Sequence, residues 1–187
     1  MQGEIPIGSN VALLPVELND AAFLVKLRTS ASARIGLRAG TTSEAGQREW
    51  LRAYFGRAKL GLEHYFLILY AQIPVGAVRI YNICRERGEF TWGSWVIQEG
   101  THPSAAWLSM VAIYDFAFDE LQQSLARFEV VAQNGIVIRF HRAFGATVTR
   151  ETAAAVEFSV TKEQYKILRP RFLRLLENAS GRSGAAI

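Results

Sequence analysis

A short turn, Thr101-His-Pro-Ser-Ala-Ala106, lies between a strand-like run and a helix-like run. A helix N-terminus presents unpaired backbone N–H groups and the positive end of the helix dipole, so an anion of phosphate size can settle there. Ser104, Ala105 and Ala106 are small enough to allow a close approach, and Pro103 suits a first turn, where its missing N–H costs least. His102 lies within the turn, in reach of such an anion. An ordinary strand–helix turn has the same composition, so the turn by itself leaves both readings open. Three other side chains could move protons. His141 falls on a helix-like segment, and an imidazole of ordinary pKa exchanges protons near pH 7. Glu89 and His64 each stand near the start of a strand-like run and are candidate bases. A core histidine with a satisfied hydrogen bond and a solvated surface glutamate are the competing readings.

The elements that must position these residues follow from apolar periodicity. Val11–Pro15 reads as a strand, and Asn19-Asp20 caps a helix running to about Ser30. A Gly/Ser/Thr-rich connection at about 36–43 leads to a helix opened by Ser43, with Trp50, Leu51, Tyr54 and Phe55 on its apolar stripe. Tyr65–Ala71 and Val75–Asn82 form a hairpin through Gln72-Ile-Pro-Val. In the strand Glu89–Ile97, strict alternation puts Glu89, Thr91, Gly93, Trp95 and Ile97 on one face. Residues 104–121 read as a helix, Arg127–Ala132 as a strand and Asn134–Phe144 as a helix stopped by Gly145. Strands at about 147–150 and 154–160 follow, then an amphipathic stretch capped by Thr161, which Pro170 breaks or kinks. Trp92, Trp95 and Trp107 cluster around the turn, as a stacking wall or as core. Asp115, beside aromatic residues, reads as structural or solvent-facing.

The chain has 187 residues, half of them apolar and a fifth charged, which describes a soluble globular protein with one sizeable core. A single α+β domain over 1–187 is expected, with loose tails at about 1–9 and 178–187. The net charge of +4 is spread over the chain, with a cluster at Arg169, Arg171 and Arg174 that reads as a solvated basic face. It lacks the dense stripe of a nucleic-acid binder, and no apolar run is long enough for a bilayer. The N-terminus shows no signal peptide, and the one cysteine, Cys84, reads as a small apolar strand residue; both point to the cytoplasm.

Residues 75–158 together resemble the GNAT superfamily of acetyl-CoA-dependent N-acetyltransferases. The phosphate motif of that superfamily, Arg/Gln-x-x-Gly-x-Gly/Ala, meets Thr101, Ser104 and Ala106 here, of which only Ala106 fits the strict pattern. Tyr114-Asp-Phe-Ala-Phe-Asp-Glu-Leu121, and Asn134 followed by His141 and Gly145-Ala146, resemble the branch of ribosomal-protein N-terminal and bacterial amino-sugar acetyltransferases. The resemblance implies a mixed, mostly antiparallel sheet with splayed central strands and helices on both faces. It implies acetyl-CoA as co-substrate and no metal. The amine attacks the thioester directly; His141 takes the position of a general-acid Tyr, and Glu89 is the candidate base, directly or through water. The amide near Val96 would stabilise the carbonyl oxygen, and Gln98 would help hold the pantetheine arm. Thr101, His102, Ser104, Ala105, Ala106 and Asn134 would complete the cofactor site. The expected acceptor is a small-molecule amine, first an amino sugar linked to a nucleotide. The alternatives are a protein N-terminus and a non-catalytic module binding an acyl-CoA or a partner. The resemblance leaves a homodimer open and implies neither nucleic acid nor membrane as partner.

Overall fold

The structure is a computed structural model that describes residues 4–7, 10–30, 33 and 41–183. The expected connection at 36–43 lies outside the described residues as far as residue 40. Eight strands form one sheet: β1 (Ile5–Ile7), β2 (Val11–Pro15), β3 (His64–Tyr70), β4 (Ile73–Cys84), β5 (Glu89–Ile97), β6 (Leu125–Val131), β7 (Thr147–Glu151) and β8 (Ala155–Thr161). Their order is β1-β2-β3-β4-β5-β6-β8-β7, antiparallel throughout except where β5 and β6 run parallel. The mixed, mostly antiparallel sheet expected from the sequence is therefore present. One face packs on α3 (Ser104–Asp115), α4 (Gly135–Phe144) and α5 (Lys162–Ser183). The opposite face of β2–β5 packs on α1 (Ala21–Arg28) and α2 (Glu44–Lys59).

Local chemistry sets the element ends. Ser43 Oγ accepts from Gly46 N–H at 3.2 Å to open α2, and Thr161 Oγ1 accepts from Gln164 N–H at 3.1 Å to open α5. Gly145 ends α4 at φ +100°, a left-handed conformation that glycine adopts without a Cβ penalty. The β3–β4 turn is Ala71-Gln72, both at positive φ (49° and 65°), as a two-residue turn between right-twisted strands requires. Ile73 and Pro74, expected in the connection, belong to β4 instead.

Packing is aromatic on the α3 face. Phe66, Phe90, Phe116, Phe118 and Phe158 are fully buried, and each contributes roughly 1.5–3 kcal/mol by leaving water. Trp92 lies in the same core, and Trp107 stacks on Phe140 with ring centroids 3.8 Å apart. Trp92 is buried in the core and also borders the cleft between the splayed strands, and Trp107 is half-buried against the core. Asp115 ties α3 to α5: it accepts from Arg169 Nε and Nη2 at 2.7 and 2.8 Å and from the Tyr165 hydroxyl at 2.7 Å. Part of the basic cluster is thus neutralised internally.

Three expectations need correction. Ile5–Ile7, assigned to a loose tail, pairs antiparallel with β2. The helix α5 runs through Pro170 to Ser183, so most of the expected C-terminal tail is helical; residues 184–187 lie outside the described residues. The helix expected over 104–121 changes at Phe116–Glu120 to a wider π-type turn.

Candidate active site at the β5–β6 splay

The parallel strands β5 and β6 pair only over Glu89–Thr91 and Leu125–Arg127. Beyond Thr91 and Arg127 they part, and both C-terminal ends point to the N-termini of α3 and α4. A bulge sharpens the divergence. Arg79 pairs with Gly93 and Ala77 with Val96, so β5 carries one extra residue there, with Ser94 at φ +50°. The bulge reverses the facing of the strand. Phe90 and Trp92 point to the α3 core; past the bulge Trp95 and Ile97 do so, and Val96 turns to the α1/α2 core. The single alternation expected over Glu89–Ile97 therefore holds only as far as Gly93.

The bulge also decides which amide faces the gap. Gln98 N–H donates to Val75 carbonyl at 2.8 Å, which fixes the antiparallel alternation at this end. The Val96 carbonyl lies 2.4 Å from where a Cβ on Gly76 would stand, so the polar groups of Val96 face β4. The Ile97 amide, one residue on, faces the open side. Of the two amides, that of Ile97 and not that of Val96 opens into the splay.

The turn leading into α3 closes on itself. Gly100 sits at φ +78°. Thr101 N–H donates to Gln98 carbonyl at 3.3 Å, Ala105 N–H to His102 carbonyl at 3.0 Å and Ala106 N–H to Pro103 carbonyl at 3.2 Å. His102 Nδ1 meets Ser104 Oγ at 2.7 Å and accepts from Ser104 N–H at 3.3 Å, while its ring stacks on Tyr70. Neither Ser104 nor Ala106 has positive φ, so glycine at those slots would serve only closer approach. His102 and Ser104 are the polar side chains of this turn, and with the splay they are the residues that could hold a cofactor's phosphates and arm. Asn134 caps α4, its Oδ1 accepting from Val137 N–H at 3.3 Å.

On the α1/α2 side of the splay lies a cleft of about 590 Å³, within the usual range of small-molecule sites. Arg28, Trp50, Tyr65, Arg79 and Tyr81 line one wall, and Glu129, Thr149 and Glu157 the other. Thr91, Gly93 and Ser94 form the floor between them. Sequence reasoning assigned none of these residues to a site. The signal was Arg and Tyr alternating on β4 and Arg and Glu alternating on β6, each on one strand face.

The residues singled out earlier divide. His141 lies beside the splay, 2% exposed, caged by Trp92, Phe128, Phe140 and Phe158. Its Nδ1 has no hydrogen-bond partner among the described residues. Burial pushes its pKa down to about 3, so the imidazole is neutral at neutral pH and not the near-neutral acid expected from an exposed ring. Glu89 lies at the paired end of β5, outside this cleft, held by Arg127 at 3.3 Å and Arg87 at 3.4 Å. The Arg127 hydrogen bond foremost keeps its carboxyl below the usual range, the wrong direction for a base. His64 is packed against Phe66 and Phe116, its pKa lowered by burial.

No helix of the described residues is long and apolar enough to cross a membrane, and among them no cluster of three His, Cys, Asp or Glu side chains could hold a metal. No family model and no curated protein matches the chain. Solved structures do. The apo form of FdhC, a nucleotide-linked sugar GNAT, is 29% identical, covers 93% of this chain and 98% of its own, and superposes with a TM-score of 0.82. RimL, a ribosomal L7/L12 α-N-protein acetyltransferase in complex with coenzyme A, is 12% identical over 86% of this chain and 99% of its own, with a TM-score of 0.73. Mycobacterium smegmatis RimJ in complex with a CoA disulfide is 18% identical over 87% of each chain, also at 0.73. At such identities the last two speak for the fold alone. The chain has the GNAT acetyltransferase fold, and the solved structures it is similar to are GNAT acetyltransferases.

Proposed function

We propose that this chain transfers an acetyl group from acetyl-CoA to the primary amine of a small anionic molecule, an amino sugar linked to a nucleotide. One observation carries the acceptor class: the cleft beside the splay has Arg28, Arg79 and Arg127 among its lining and the volume of a small-molecule site. The likeness to a nucleotide-linked sugar GNAT supports the same class.

The chemistry asks three things of the protein. The amine must arrive with a free lone pair, the thioester oxygen must be stabilised as it gains charge, and the leaving sulfur must be accommodated. Acetyl-CoA supplies the activated acyl group. The Ile97 amide faces the gap where the oxygen would develop charge. His141 offers a neutral N–H towards the sulfur side; as a hydrogen-bond donor it stabilises a thiolate without protonating it. Gln98 and the 101–106 turn hold the arm and phosphates, and Asn134 holds the N-terminus of α4 in place.

The test is release of free thiol from acetyl-CoA across a panel of amines. Nucleotide-linked amino sugars should turn over and peptides with free N-termini should not. Peptide acetylation without sugar acetylation would replace this acceptor by a protein N-terminus. Tight CoA binding without turnover on any amine would leave a binding module.

A further inference from the structure

A second groove, of about 510 Å³, opens beside the main cleft at the paired end of β5 and β6. Asn82, Thr91 and Arg127 line both, so the two are continuous on one face of the sheet. They join at the last β5–β6 pair, Thr91 with Arg127, where the strands still hold their register. Arg87 and Glu89 line the groove and not the cleft. The junction is polar because β4 bulges there. Tyr81 pairs with Thr91 and Cys84 with Glu89, so β4 carries one extra residue between them. Asn82 lies in this bulge at φ +52°, a left-handed conformation that asparagine tolerates better than most side chains. A bulge re-aims the side chains around it. Asn82 is exposed at the junction, and its side-chain amide has no hydrogen-bond partner among the described residues.

Two guanidiniums on one carboxylate set the charge of the groove. Arg87 Nε donates to Glu89 Oε2 at 3.4 Å, and Arg127 Nη2 donates to Glu89 Oε1 at 3.3 Å. Glu89 is partly buried, while the Arg87 and Arg127 side chains are exposed. A guanidinium carries five N–H donors. Each of these two has given one, to Glu89, and neither has another hydrogen-bond partner among the described residues. One positive charge is therefore left over, on two planar forks that a shared carboxylate holds side by side. An anion with several oxygens fits such a pair, because guanidinium–phosphate contacts are bidentate and charge-assisted.

Resting on the acceptor reading above, we propose that this groove is the nucleotide end of the acceptor site. The sugar lies in the main cleft with its amine at the splay. The diphosphate crosses the junction beside Asn82 and Arg127 and reaches Arg87, and the nucleoside lies beyond it in the groove. The distances along β5 suit that order. At about 3.3 Å per residue, Thr91 lies roughly 7 Å from Gly93 at the mouth of the splay, and Glu89 roughly 13 Å from it. One sugar ring fills the nearer interval and the two phosphates the farther one. The open side of the groove leaves the nucleoside partly in water.

The experiment compares initial rates of thiol release on an amino sugar linked to uridine diphosphate and on the same sugar without it. In the native protein the linked acceptor should be favoured in kcat/KM by about tenfold or more, as expected for charge-assisted contacts. Arg87→Gln should cut that preference by about threefold to tenfold through the KM of the linked acceptor, a modest factor because the side chain is exposed. Arg85→Gln removes the same charge two residues away, from a side chain that does not line the groove, and should change the preference by less than about twofold. Calorimetry with uridine diphosphate reads the groove without turnover. Saturating coenzyme A in the cell keeps the probe from the 101–106 turn, and the affinity should fall in Arg87→Gln by the same factor as the preference. Equal kcat/KM on the two acceptors in the native protein overturns the proposal, as does an equal loss in Arg85→Gln and Arg87→Gln or an intact preference in Arg87→Gln. Thiol release with phosphate-free amines alone would then leave the acetyltransferase reading standing. No thiol release with any amine removes that reading, and uridine diphosphate binding that Arg87→Gln weakens would still keep the groove as a nucleotide site.

Discussion

Arg79 stands directly across β4–β5 from Gly93, and the missing side chain at 93 keeps the floor of the cleft open beneath the guanidinium. A Cβ at 93 would stand 3.1 Å from the Tyr81 hydroxyl, tighter than ordinary contact but against the far end of a side chain. Gly93→Ala should therefore fold, displace the Tyr81 hydroxyl by a few tenths of an ångström and raise the acceptor KM about tenfold. The acetyl-CoA KM should not change. Steady-state kinetics with each substrate varied in turn checks both halves.

Gly76 makes the opposite prediction. Its absent Cβ would meet the Val96 carbonyl at 2.4 Å, a backbone atom that cannot swing aside. Gly76→Ala must push β4 and β5 apart, at a cost of about 1–3 kcal/mol by analogy with overpacking. The shift also moves the Ile97 amide. Both a lower melting temperature and weaker acetyl-CoA binding are expected, measurable by thermal unfolding and calorimetry.

The Asp115 carboxylate joins α3 to α5 through Arg169 and Tyr165. Arg169 is partly exposed, so the pair is screened by solvent, and the buried Tyr165 hydroxyl loses one acceptor but keeps the Val111 carbonyl at 3.1 Å. Asp115→Ala should destabilise the fold by about 0.5–1.5 kcal/mol. For a domain of this size the melting temperature should fall about 2–4 °C per kcal/mol, with kinetic constants changed little. An unchanged melting temperature would show that α5 is held by its apolar contacts alone.

His141 links stability to pH. Its folded pKa is depressed from 6.5 to about 3, so between those values the unfolded chain binds the proton and the folded chain does not. The stability this residue contributes is present above about pH 6.5 and is lost as pH falls towards 3. The full loss is of order 5 kcal/mol at about 1.4 kcal/mol per pH unit. His141→Phe keeps an aromatic ring in the cage and removes the proton site. Its melting temperature should depend less steeply on pH between 6.5 and 4 than that of the native chain. The depressed His64 pKa adds to the native slope in the same sense and remains in the variant.

Much of the scaffold was legible in the sequence because its signals are local. Ser43, Asn134, Gly145 and Thr161 each mark an element end by their own backbone chemistry, and each does so in the structure. The mixed sheet followed from element order and family resemblance. The short β1 was missed because three residues carry no periodicity, and it exists only by pairing with β2. The bulge at Ser94-Trp95 left one mark, Gly93 inside the strand, which strict alternation overrode; the reversal of facing shows in the packing of Trp95 and Ile97 on one core and Val96 on the other. The bulge also sets which amide near Val96 faces the gap, that of Ile97. The ion pair that holds Glu89 was hidden for a different reason: its partner Arg127 is 38 residues away and meets it only through the β5–β6 pairing. Glu129 and Glu157 are separated by 28 residues in sequence and become neighbours only once β6 and β8 pair.

The central claim is that the splay and the 101–106 turn take acetyl-CoA, and thermal unfolding with and without excess acetyl-CoA tests it most directly. A ligand that binds only the folded state at about a hundred times its dissociation constant adds about 2.7 kcal/mol. At about 2–4 °C per kcal/mol for a domain of this size, the midpoint should rise by roughly 5–10 °C. The rise should diminish in Gly76→Ala and persist in Gly93→Ala. No rise at millimolar acetyl-CoA, in a protein that still unfolds cooperatively, would contradict the claim: the hydrogen bonds closing His102, Ser104, Ala105 and Ala106 on themselves would then have shut the phosphate site.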